Sequence, residues 1–87
     1  MKIATLAALM TLTAGAAFAE PACTVPAEGA AAPVWEALKA FETEGGAVIA
    51  FKINDGACYE IYGTLVGTKM EVFYDPTTGV ELERIAD

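Results

Sequence analysis

Three turn signals divide the second half of the chain into short segments in which apolar and polar residues alternate. From Lys52 to Leu82 the sequence reads KINDGACYEIYGTLVGTKMEVFYDPTTGVEL, and the turn signals are Asn54–Gly56, Gly67 and Asp75–Gly79. Alternation with a period of two is typical of strands that bury one face, and closely spaced turns join consecutive strands as antiparallel neighbours. The pattern therefore predicts a four-stranded antiparallel meander sheet.

One amphipathic helix is predicted ahead of this meander. Pro33 suits a helix start, where its missing N–H costs nothing, and Gly45-Gly46 predicts the helix end. The apolar residues at helical spacing are Val34, Ala37, Leu38 and Phe41. We expect Trp35, which lies beside them, to join this buried stripe. A helix packed on one face of a sheet gives a two-layer α+β domain.

The N-terminal segment predicts export. Residues 1–19 combine Lys2, an apolar run and the small residues Ala17 and Ala19 on either side of a phenylalanine, which is typical of a cleaved signal peptide. Glu20 follows directly, so a membrane span is not predicted. The sequence before Cys23 lacks the apolar and small residues of a lipoprotein signal. We expect an extended arm over 20–32, one domain over 33–87, and a periplasmic or secreted protein.

Charge limits the kinds of partner. Residues 20–87 carry twelve acidic residues and four basic ones, which gives a net charge of −8; the basic residues are Lys39, Lys52, Lys69 and Arg84. Neutralising phosphates requires clustered lysine and arginine, so nucleic acid is not expected as a partner. The acidity fits a basic protein surface, or serves only to keep the protein soluble.

The two cysteines of the chain, Cys23 and Cys58, predict a disulfide. A small exported domain has little apolar core, and closing this loop would stabilise it by about 4 kcal/mol on the chain-entropy model. A redox pair is disfavoured because there is no C-x-x-C spacing. The chain has no histidine, and two thiols do not complete a zinc site, so no metal and no cofactor are expected.

The turns also predict how the strands face one another. A three-residue loop at Asn54–Gly56, with Gly56 left-handed, places Phe51 opposite Tyr59 and Ile49 opposite Ile61. Pairing Tyr74 with Val80 across the last turn places Val72 opposite Leu82 and Met70 opposite Arg84. The large apolar residues then share the face that receives the helix.

The opposite face is the candidate partner surface. The residues predicted to lie on it are Val48, Ala50, Lys52, Cys58, Glu60, Tyr62, Glu71, Phe73, Glu81 and Glu83. Two aromatic side chains among four glutamates favour a binding surface, for which the candidates are Glu60, Tyr62, Glu71, Phe73, Glu81 and Glu83. Alternatively, the aromatic side chains only pack against neighbours, or the arm tethered at Cys23 covers them.

No pattern for catalysis is present, and we expect no enzyme. The glutamates alternate onto a sheet face rather than into a desolvated cleft, and the usual histidine base is absent. The segment Asp75–Gly79 has one carboxylate where an EF-hand loop has several. It is better explained as a turn in which proline presets φ, Asp75 caps N–H groups and Gly79 takes positive φ.

The sequence resembles the PepSY domain over residues 33–85. The resemblance rests on Gly56, Tyr59, Glu60, Gly67, Asp75, Pro76 and Gly79. It implies a small free-standing exported protein that restrains or chaperones a peptidase near the cell envelope. No peptidase follows the domain in this sequence, so we expect such an action to occur in trans. The alternative is a structural or accessory subunit of an envelope complex, with no effect on proteolysis.

Overall fold

The computed structural model describes residues 20–87, which form one helix and one sheet. The helix α1 spans Val34–Thr43, and the strands are β1 (Ala47–Ile53), β2 (Tyr59–Leu65), β3 (Thr68–Tyr74) and β4 (Glu81–Ala86). The strands are antiparallel in the order β1-β2-β3-β4, and α1 packs on β1 and β2. The predicted α+β fold is confirmed.

Two predictions concern the N-terminal part of the chain and its relation to a membrane. The predicted signal peptide, residues 1–19, lies outside the described residues. Within the described part of the chain, no helix has the length and apolar character needed to cross a membrane.

The helix ends as the sequence predicts, while its start differs by one residue. Pro33 immediately precedes α1 rather than forming its first residue. At the other end, the Gly45 N–H donates to the Glu42 carbonyl at 2.9 Å, and the Gly46 N–H donates to the Phe41 carbonyl at 3.0 Å. Gly45 has φ 99°, so the two glycines form the capping pattern in which a left-handed residue closes the last turn.

The core between helix and sheet is centred on Phe41. Phe41, Ile61 and Val72 are completely buried, and a Cβ at Gly63 would overlap the Phe41 ring. Trp35 is not part of this core, and its predicted burial is wrong, because 59% of it is exposed. Trp35 lies outside the apolar stripe of the helix. It is one turn before Lys39 and on the same, outer surface of the helix.

The first hairpin differs from its predicted register because its loop lies one residue later. The loop is Asp55–Ala57, and the Asn54 N–H donates to the Cys58 carbonyl at 2.9 Å. The left-handed residue is Ala57, with φ 73°, and not Gly56. Ile53 therefore pairs with Tyr59 and Phe51 with Ile61. Each of these β1 residues thus pairs with a β2 residue two positions later than predicted. Because side chains alternate with a period of two, these residues stay on their predicted side of the sheet.

A bulge in β1 reverses the predicted faces of two residues. The pairing shifts between Val48 and Ala50, and Val48 lies opposite Gly63. Val48 consequently packs against the core rather than on the opposite face, and Ile49, predicted to face Ile61, is exposed. The extra residue of a bulge causes this reversal, since side chains otherwise alternate strictly along a strand.

A second irregularity changes the register of β4. Phe73 pairs with Glu83, but Tyr74 pairs with Glu81, so Leu82 has no opposite residue. Glu81 consequently lies on the helix side of the sheet, not on the predicted partner face. Val72 pairs with Arg84 instead of Leu82, and Met70 with Ala86 instead of Arg84.

The remaining turns agree with their sequence signals. Val66 and Gly67 both have positive φ, 52° and 76°, as a two-residue hairpin loop requires. In the last turn, Asp75 Oδ1 accepts the Thr77 N–H at 2.7 Å and the Thr78 N–H at 2.9 Å. These bonds hold the pKa of Asp75 below its usual value, and Gly79 has φ 78°.

Candidate functional site

The face of the sheet that α1 does not cover is tied to the N-terminal arm by a disulfide. Cys23 and Cys58 are bonded, with their Cα atoms 5.2 Å apart, which confirms the predicted pairing. We call this surface the arm face and define it by Cys58, Glu60, Tyr62, Glu71, Phe73 and Glu83. Residues 20–32 contain no helix or strand.

The arm packs directly on the first hairpin. The Cys23 N–H donates to the Gly56 carbonyl at 2.7 Å, and Asn54 Nδ2 donates to the Pro21 carbonyl at 3.3 Å. A Cβ at Gly56 would lie 2.7 Å from the Pro21 carbonyl oxygen. Gly56 is therefore needed for the close approach of the arm rather than for a left-handed conformation.

The arm then passes to the helix side of the sheet. The Ala32 N–H donates to the Pro76 carbonyl at 2.8 Å, and the Tyr59 hydroxyl donates to the Ala32 carbonyl at 2.7 Å. Ala32 and Tyr59 are both buried in the core. The arm is thus fixed at both ends, by Cys23 to the arm face and by Ala32 to the helix face.

Phe73 is completely buried, so it cannot serve as an exposed aromatic residue of a partner surface. Because α1 lies on the other face, we attribute this burial to the arm and to neighbouring side chains. Cys58 is also completely buried. The prediction that Phe73 is exposed is wrong, and both alternatives, packing against neighbouring side chains and cover by the arm, agree with its burial.

A shallow depression of about 430 Å³ remains open on the arm face. The residues that line it are Ala50, Phe51, Lys52, Glu60, Tyr62, Glu71 and Asp87. Tyr62 and Glu71 are partly exposed, whereas Glu60 is only 5% exposed. Three of the six predicted partner residues therefore meet at one place. The polar groups of the lining are three carboxylates, one ammonium group and one phenol, and the carboxylates suit cations and hydrogen-bond donors.

The carboxyl group of Glu60 in this depression has a raised pKa. Burial raises the pKa of its carboxyl group, the neighbouring Lys52 lowers it, and the charges of Glu20 and Glu71 raise it again. The Lys52 Nζ atom is 3.9 Å from Glu60 Oε1. The effect of burial on this pKa is larger than that of Lys52, so the surroundings of Glu60 do not fully compensate the charge of its carboxylate.

Glu20 of the arm joins Glu60 and Glu71 at the edge of the depression. One carboxylate oxygen from each residue lies within 4.8 Å of those of the other two. Asn54 Nδ2 holds Glu20 in place by donating to Glu20 Oε1 at 3.2 Å. Glu20 was not among the predicted site residues. The disulfide could have located it, since Cys23 is three residues from Glu20 and Cys58 two residues from Glu60.

The other two predicted partner residues lie elsewhere. Glu83 is exposed on the arm face opposite Phe73. Glu81 lies on the helix side, where it accepts the Arg84 Nε hydrogen at 2.7 Å, and Arg84 Nη2 also contacts Glu44 Oε2 at 3.0 Å. The hydrogen bonds from Arg84 hold the pKa of Glu81 below its usual value. The structure does not bring these two residues to the depression.

The outer edge of β1 borders the depression. β1 is the first strand of the sheet and has a neighbour on one side only within residues 20–87. Ile49 and Ile53 are exposed along it, and Ala50 and Lys52 belong both to this strand and to the lining of the depression. An edge strand presents unpaired backbone N–H and C=O groups that can pair with another extended segment.

Comparison with known protein families found one match. The family model described as "Peptidase propeptide and YPEB domain", PepSY_2, matches residues 3–84. No curated protein and no solved structure matches the chain.

Proposed function

Because this chain belongs to the PepSY_2 family of peptidase propeptide and YPEB domains, we propose that it is a non-enzymatic exported binding protein that modulates a peptidase. The peptidase acts in the periplasm or outside the cell, and the protein binds it in trans. The family description supports the link to peptidases. The identity of the peptidase is for the experiment below to establish.

Two observations support export. Disulfides form and persist in oxidising compartments such as the periplasm and the extracellular medium, and Cys23 is bonded to Cys58. The first nineteen residues have the pattern of a signal peptide. Cleavage after Ala19 would leave Glu20 as the first residue.

The observation that carries the docking proposal is the free edge of β1 with its exposed isoleucines. Binding an extended peptide at a sheet edge gains main-chain hydrogen bonds, while side-chain pockets supply specificity. Ile49 and Ile53 offer apolar contacts along β1, and Glu60 and Glu71 lie in the depression that β1 borders. We propose that an extended segment of the peptidase pairs with β1 and places a basic side chain in the depression.

The test starts from capture of partners in a periplasmic extract, followed by an activity assay of any peptidase recovered. Ile49→Lys and Ile53→Lys place charges along the edge and should abolish capture, because edge lysines oppose strand pairing. Val80→Lys is a matched control, since Val80 and Ile53 are both 60% exposed and Val80 lies outside β1.

Inhibition or activation of the captured peptidase by wild-type protein, and by Val80→Lys but not by the β1 variants, supports the proposal. Capture of a complex without peptidase activity would instead favour an accessory subunit. Equal capture by the β1 variants would show that the edge is not the docking site.

A further inference from the structure

A buried carboxylate oxygen on the arm face lacks a hydrogen-bond partner. Glu60 is 5% exposed, and its Oε1 atom receives no hydrogen bond within the part of the chain that the structure describes. The ammonium group of Lys52, at 3.9 Å, is beyond hydrogen-bond distance, and its side chain is mostly in solvent. An ionised carboxylate left in this state is costly unless a cation or donor compensates it.

The other acidic groups at this position increase the cost. Glu71 lies diagonally across the strand pair β2–β3 from Glu60, and Glu20 approaches from the arm. Their oxygens and that of Glu60 are within 4.8 Å of one another, so the three carboxylates repel. Asp87 lines the same depression and adds negative charge. Lys52 is the one cationic residue in that lining.

We propose that Glu20, Glu60 and Glu71 together bind a Ca²⁺ ion. Three atoms within 4.8 Å of one another share a point no farther than about 2.8 Å from each, close to the 2.3–2.6 Å of calcium–oxygen bonds. A small inward movement of exposed Glu20 would complete the contacts. Mg²⁺ needs 2.0–2.1 Å and strict octahedral geometry, so the cluster suits it less well.

The chemistry of the ligands also favours calcium over softer metals. The three groups are carboxylates, which prefer hard cations, and both cysteines are consumed in the disulfide. Calcium takes six to eight oxygen ligands, so water would supply those that the three glutamates do not. The ion would compensate the buried carboxylate of Glu60 and screen the repulsion among all three.

Binding at this position would fasten the arm to the sheet a second time. Glu20 belongs to the arm, whereas Glu60 belongs to β2 and Glu71 to β3. The site is complete only when the arm lies on the arm face, so calcium would stabilise that arrangement. This inference does not depend on the proposed peptidase partner, and its test requires none.

The experiment uses the exported protein as cells produce it, with its N terminus established by mass spectrometry. Millimolar Ca²⁺ should raise the melting temperature by several degrees relative to EDTA, with half-saturation at about 10⁻⁴–10⁻³ M, as in extracellular calcium modules. Terbium luminescence excited through tyrosine should appear on Tb³⁺ addition and decrease on titration with Ca²⁺, because Tyr62 lines the depression.

Glu60→Gln keeps the side-chain shape and should lose both responses. Glu83→Gln is the matched control: Glu83 is on the same face but outside the cluster, and this variant should keep the full response. If Glu60→Gln does not fold, Glu71→Gln decides, since Glu71 is partly exposed and its change removes only one ligand. The proposal is overturned by no response to Ca²⁺ in the wild type, an equal response to Mg²⁺, or an unchanged response in the glutamine variants.

Discussion

The two faces of the sheet are covered by different means and to different extents, since the arm leaves a depression open on its face. The helix face packs apolar side chains around Phe41, and the helix needs no covalent link to stay there. The arm face is covered by a segment without helix or strand, which a disulfide and hydrogen bonds to Asn54 and Gly56 hold in place. A domain of this size has limited apolar area, so a second cover requires covalent support.

The largest expected effect tests whether the arm face contains a buried core, as the helix face does. Phe41→Ala and Phe73→Ala each remove a completely buried ring, one from each side of the sheet, and each should cost about 3–5 kcal/mol of unfolding free energy. Trp35→Ala serves as the control and should cost less than about 1 kcal/mol, since Trp35 is largely exposed. Chemical denaturation of the three variants measures this. A near-wild-type Phe73→Ala would show that the arm does not seal its face.

Removing the disulfide tests the covalent support directly. Cys23→Ser combined with Cys58→Ser should lower the unfolding free energy by about 2–5 kcal/mol. Hydrogen exchange should then increase first in the arm and at Cys23, whose N–H donates to Gly56, while β2 and β3, the two central strands of the sheet, stay protected longer. Uniform loss of protection across both faces would contradict the proposed difference between them.

Two buried tyrosines on the helix face allow a smaller, matched comparison. The Tyr59 hydroxyl donates to the Ala32 carbonyl at 2.7 Å, whereas the Tyr74 hydroxyl has no hydrogen-bond partner within residues 20–87. Tyr59→Phe should cost about 1–3 kcal/mol because it leaves a buried carbonyl unpaired and frees the arm, and Tyr74→Phe should be neutral or stabilising. Equal costs in thermal melts would show that the Ala32 contact does not hold the arm.

The raised pKa of Tyr74 also predicts that the protein loses stability at alkaline pH. Burial, followed by the charges of Glu81 and Glu44, raises the pKa of Tyr74 from 10.0 to about 12. The folded state therefore favours the protonated hydroxyl, so its contribution is complete below pH 10 and is lost as the pH rises towards about 12. Tyr74→Phe should weaken this pH dependence. Denaturation midpoints measured between these pH values provide the check.

The fold could be predicted because its signals are local. Alternation along β2 and β3, the Asp75–Gly79 turn and the two glycines after α1 each act within a few residues, and each agrees with the structure. The family model also covers these segments, since it matches residues 3–84. The faces of Val48 and Glu81 could not be predicted this way, since one extra residue in β1 and one in β4 reverse the alternation.

Part of the candidate site could be predicted because its residues follow the same local alternation. Glu60, Tyr62 and Glu71 lie on two regular strands, so alternation placed them together. The position of Glu20 depends on the arm, whose path is set by contacts between residues more than thirty positions apart, such as Asn54 with Glu20. The sequence contains no periodic pattern in that segment from which its path could be read.

The smallest expected effects lie at two adjacent loop residues, and they have opposite signs. Ala57→Gly should stabilise the protein by about 0.5–1 kcal/mol, because Ala57 has φ 73° and glycine adopts this conformation without a steric penalty. Gly56→Ala should destabilise it by about 1 kcal/mol or more, since the new Cβ would lie 2.7 Å from the Pro21 carbonyl oxygen.

Repeating both substitutions in the Cys23→Ser, Cys58→Ser protein distinguishes the arm from the loop itself. The cost of Gly56→Ala should fall there, because an arm released from Cys58 can move away from the added methyl group. The gain from Ala57→Gly should remain, because it arises from the backbone of the loop alone. If removal of the disulfide changes the cost of Gly56→Ala no more than it changes the gain from Ala57→Gly, the arm does not press on Gly56.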